Sequence, residues 1–125
     1  MIPGATTWNR ALANKQLLTA VTSYGIPTLG QGGLLPINPL IHNLTGNPLP
    51  ALLDLLVVLP DGQQIAMFPT IPLDVPPFPL QLSGIWLPLP QIPASATGKL
   101  LKCVVRFRDP VTNAVQDAAS TEFVV

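Results

Sequence analysis

Charge is what this chain of 125 residues has least of. Only 10% of its residues are charged, and six basic and six acidic side chains cancel. Such a sparse, balanced set creates no global field to draw in nucleic acid or anionic lipid, so no nucleic-acid partner is expected. One cysteine, Cys103, excludes an internal disulfide, and one histidine, His42, leaves little for metal or acid–base chemistry. Uninterrupted helix-forming runs are also scarce, because sixteen prolines and nine glycines punctuate the chain and proline removes an N–H and clashes with the preceding turn. Residues 16–53 and 75–98 carry no formal charge, yet a spanning helix needs roughly 20 apolar residues bonded within themselves. Pro27, Pro36, Pro39, Pro48 and Pro50 break the first stretch, and Pro76, Pro77, Pro79, Pro88, Pro90 and Pro93 break the second. No transmembrane segment is expected. Met1-Ile2-Pro3-Gly4 shows no basic region leading into an apolar core, so no secretory leader is read there.

What is present is apolar: 48% hydrophobic residues exclude a solvated, disordered chain. The length suits one domain. So little surface charge implies that another chain covers part of the uncharged surface. The sequence divides near Gly46. Residues 1–46 read as an N-terminal arm with a short helix at 8–21, where Trp8, Leu12, Leu18 and Val21 recur near helical spacing and Gly25 supplies a stop. The other reading of 1–46 is an extended arm, part strand, lying along a neighbour.

Residues 47–125 read as strands. Residues 51–59 (ALLDLLVVL) end at Pro60-Asp61-Gly62, a turn in which proline presets φ and glycine accepts positive φ, so 63–68 returns as a hairpin. Proline is dense enough in 69–79 to confine it to an edge or a connection. In 79–87, Leu80, Leu82 and Trp86 are expected to face inward. In 99–108, Leu101, Cys103, Val105 and Phe107 face inward and Lys102, Arg106 and Arg108 outward, before a turn at Asp109-Pro110 and a closing strand over 120–125. Short strands without helices between them predict an all-β, antiparallel sandwich.

Asp54-Leu-Leu-Val-Val-Leu-Pro-Asp-Gly62, Gly98-Lys-Leu-Leu-Lys-Cys-Val-Val-Arg-Phe-Arg-Asp-Pro110 and Thr121-Glu-Phe-Val-Val125 resemble the Ig-like β-sandwich modules of large bacterial surface and secreted proteins. The likeness covers residues 46–125. The family sets an aromatic residue soon after the glycine that matches Gly98, where this chain has Leu100 and Leu101. The resemblance implies an Ig-like fold and a non-catalytic spacer, adhesion or assembly unit, with no catalytic residues to carry over.

Individual residues agree with a non-enzymatic role. His42 is not preceded or followed by a nucleophile elbow, and Ser23, Ser83, Ser95 and Ser120 are scattered. Cys103 lies on the expected core face, where a thiol is inert. Asp54, inside an apolar strand, is expected to be exposed or paired with a cation. Lys102, Arg106 and Arg108 form a candidate contact for an anionic ligand. Asn43-Leu44-Thr45 matches a glycosylation sequon. Trp8, Leu12, Leu34, Leu35, Ile37, Val75 and Phe78 are the candidate interface residues. No metal or cofactor is expected. The partners expected are copies of the chain or a larger protein assembly, in an extracellular or cell-surface setting, joined through the arm and Pro-rich edges. A carbohydrate-binding module using exposed aromatics with Gln63, Gln64 and Gln91 is the alternative, and a phage virion decoration or fibre protein is a third reading.

Overall fold

The computed structural model describes residues 16–23, 33–82 and 85–125. Among these the order is β1 (Leu17–Ser23), β2 (Leu34–Asn43), β3 (Leu49–Val58), β4 (Gln64–Ala66), β5 (Ile71–Val75), β6 (Leu80–Gln81), β7 (Ile85–Pro88), a 3₁₀ turn (Ala94–Ala96), β8 (Leu100–Arg108) and β9 (Val115–Val124). All pairings are antiparallel. The front sheet runs β1-β2 with β6 and β7 along the far side of β2. The back sheet runs β3-β8-β9, with β4 and β5 along the other side of β3. Their inner faces close on Leu17, Leu35, Ile37, Val57, Val75, Leu101, Cys103, Phe107 and Phe123, each at most 1% exposed. The fold is an antiparallel β-sandwich.

The expected hairpin is β3–β4. Leu59 N–H donates to the Gln63 carbonyl at 2.8 Å, and Asp61 Oδ1 accepts from Gln63 N–H at 2.9 Å. Gly62 takes φ of 90°, which only glycine adopts without strain. The inward row Leu101, Cys103, Val105 and Phe107 is buried along β8 as the alternation requires. The 109–114 turn closes on Asp109, whose Oδ1 accepts from Val111 N–H at 2.8 Å and Thr112 N–H at 3.0 Å. β9 then begins at Val115, earlier than its sequence suggests, because Ala118 and Ala119 carry no alternating signal.

The N-terminal region departs from expectation. Residues 17–21 are strand, not helix, and residues 8–15 lie outside the described residues. Thr19, Val21 and Thr22 are β-branched and favour a pleated surface. Leu17 and Val21 then enter the core from the same side of a period-two strand. Nor are 17–23 and 34–43 an arm: β1 and β2 form much of the front sheet and contribute Leu17, Val21, Leu35, Ile37 and Ile41 to the shared core.

β2 is a central strand containing two prolines, and the ladder shows how each is accommodated. The Pro39 carbonyl accepts from Leu82 N–H at 2.9 Å, so Pro39 faces the β6–β7 side with an acceptor but no donor. There the pairing lapses. β6 ends at Leu40↔Gln81 and β7 begins at Ile37↔Ile85, so three steps along β2 match four along its partner. That extra residue reverses the facing of everything after it. Trp86, expected in the core, therefore points outward and is 57% exposed, while Ile85 and Leu87 turn inward. Beneath the break lies an apolar cavity of about 90 Å³ lined by Pro39, Leu82, Ile85, Leu87 and Val105 among others. Pro36 faces the opposite side, one residue beyond the last β1 pair, Ser23↔Ile37.

Candidate contact surface

The outer faces of the two sheets differ in chemistry. The front sheet shows Leu18, Ala20 and Thr22 from β1, Leu34, Asn38, Leu40 and His42 from β2, and Gln81, Trp86 and Pro88 from β6 and β7. Leu34 is 51% exposed, and Leu18 and Leu40 are 36% and 40% exposed. No residue of these four strands carries a formal charge. All four of these strands come from the two long charge-free stretches of the sequence. The back sheet presents Asp54, Lys102, Arg106, Arg108 and Glu122 on its outer face.

Those charges are largely tied to one another. Asp54, 4% exposed, accepts from Arg108 Nε at 2.6 Å and Arg108 Nη2 at 3.0 Å, from Arg106 Nε at 3.0 Å, and from Thr70 Oγ1 at 2.6 Å. Burial alone would raise its pKa, but the hydrogen bonds from Arg108, Thr70 and Arg106 outweigh it and hold the carboxyl at about 2. Asp54 is thus ion-paired across the β3–β8 ladder. Arg106 and Arg108, expected to reach an anionic ligand, spend their guanidinium groups on Asp54 instead, leaving Lys102 as the exposed cation of the three. Lys102 itself stands opposite Glu122. Thr70, in the Pro-rich connection, carried no sequence signal for this cluster.

The other candidates fall apart spatially. Trp8 and Leu12 lie outside the described residues. Leu35, Ile37 and Val75, expected at an interface, are core residues at most 1% exposed, because the strands bearing them turn that side to the opposing sheet. Leu34 and Phe78 are more than half exposed. His42 is on the outer front face opposite Leu18. Cys103 is fully buried, and burial pushes its thiol up to about 11. The sequon is structural. Asn43, 3% exposed, donates through Nδ2 to the carbonyls of Asn47 at 2.7 Å and Val75 at 3.0 Å, fastening the loop that crosses between sheets. Its amide nitrogen is spent within the fold.

Three edge strands are blunted. At the β1 edge, Thr19 N–H donates to Asp117 Oδ2 of β9 at 2.6 Å. Pro72 removes one donor from β5, and Pro88 one from β7. Strand addition along the Pro-rich edges is therefore disfavoured.

This class of molecule is an antiparallel two-sheet sandwich. No family model matches the chain, and no curated protein matches it. Among solved structures, a calcium-binding mutant of Bacteroides uniformis beta-glucuronidase 2 is similar at a TM-score of 0.38 and 12% identity, over 83% of this chain and 12% of that one.

Proposed function

We propose that the chain is a non-enzymatic, Ig-like structural module that packs into a larger extracellular or surface assembly through the outer face of its front sheet. The observation supporting this is the separation of charge: one outer face holds none, and the other holds a dense ionic cluster. An exposed apolar sheet face of this extent is costly in water unless something covers it. The blunted edges favour contact by faces over contact by added strands. Hydroxyl-radical footprinting of the native assembled material tests this. Trp86 and Leu40 are expected to oxidise several-fold more slowly there than in the isolated chain at high dilution, while Phe78 reacts equally in both. Equal rates at Trp86 in the two samples overturn the proposal.

A carbohydrate-binding role is the second reading, favoured by the exposed Trp86 ring. Glycan-array binding that disappears in Trp86→Ala supports it, and a blank array with the folded chain removes it.

A further inference from the structure

We infer that the occupant of the front face is a second copy of the same face, related by a two-fold axis. The inference rests on the contact role proposed above. Three features select this partner. A charged partner surface would leave its charges desolvated against a face with no ion to pair them, whereas a second copy is charge-matched by construction. The polar side chains of Thr22 and Gln81 there each carry a donor and an acceptor, so the two can pair reciprocally across a two-fold. The extent also fits. β2 spans ten residues, β1 seven, and β6 and β7 two and four, so the strands project to a face of about 360 Å². Two such faces bury roughly 700 Å² of projected area, the size of a weak contact. Sheets stack face to face at about 10 Å, and the relief of Leu34, Leu40 and Trp86 supplies side chains to interdigitate across that gap. Trp86 is the natural anchor, being large, rigid and exposed.

Sedimentation equilibrium on the purified full-length chain tests the inference. At about 100 μM, enough to populate a contact of micromolar strength, the wild type is expected to be a dimer. Leu40→Glu and Leu40→Lys, each placing like charges on both halves, weaken association about 100-fold. A one-to-one mixture of the two regains the dimer, which a misfolded variant would not do. Lys102→Glu on the opposite face leaves the dimer unchanged. A wild type that stays monomeric, or a dimer dissociated by Lys102→Glu and not by the Leu40 variants, overturns the inference. A monomer whose Trp86 is nonetheless protected in the assembled material points to a different occupant and leaves the contact role intact.

Discussion

Asp54 shows how a single carboxylate sets the acid response of a sheet. Its folded pKa of about 2 lies below the ordinary aspartate value of 3.8, so its contribution is present above about pH 4 and is lost as pH falls through 2. The difference corresponds to about 2 kcal/mol. Asp54→Asn keeps the shape but leaves two arginines around a neutral amide. Because both retain partial solvent access, the expected cost at pH 7 is about 2–3 kcal/mol, below the roughly 3–5 kcal/mol for breaking a fully buried pair. Urea unfolding across pH checks both: the variant starts less stable and loses less between pH 4 and 2. Cys103 gives a second residue-scale test. Buried, with its pKa raised to about 11, it is expected to ignore a thiol reagent in the folded chain and to react fully in denaturant. Its inward position was legible in the sequence because β8 alternates cleanly. The Asp54 cluster was legible only in part: an aspartate inside an apolar strand signals a partner, but Thr70 enters it from a loop of no distinctive pattern.

At the scale of elements, the strands with regular alternation and recognisable turns could be read directly, and those shaped by proline could not. The β3–β4 hairpin follows from Pro60-Asp61-Gly62. Gly62→Ala, forced to keep φ near 90°, is expected to destabilise by about 1 kcal/mol, measured as a lower denaturation midpoint with an unchanged slope. β2 escapes such reading because two prolines in ten residues argue against a central strand. What the rule lacks is direction: Pro36 and Pro39 face opposite neighbours, each where a ladder lapses or ends. The one-residue slip after Pro39 then sends Trp86 outward, a consequence no period-two extrapolation from Leu80 and Leu82 can anticipate. β1 is ambiguous in sequence because Leu18 and Val21 also fit helical spacing over so short a span.

For the molecule as a whole, composition carried more information than position. Charge-free stretches 16–53 and 75–98 announced an uncharged surface, and the topology gathers β1, β2, β6 and β7 from within them into one sheet, while the other sheet takes the ions of β3, β5, β8 and β9. An arm was expected to carry that surface, since nothing in the sequence says that distant stretches pair.

The Thr19–Asp117 bond joins groups 98 residues apart. Bringing such remote stretches together has a high chain-entropy cost before any reward, so this clasp belongs late in the folding reaction. Asp117→Ala is therefore expected to speed unfolding several-fold while barely slowing refolding, a chevron with one displaced arm. The side chain that hides an edge from other molecules would thereby also govern how long each molecule stays shut.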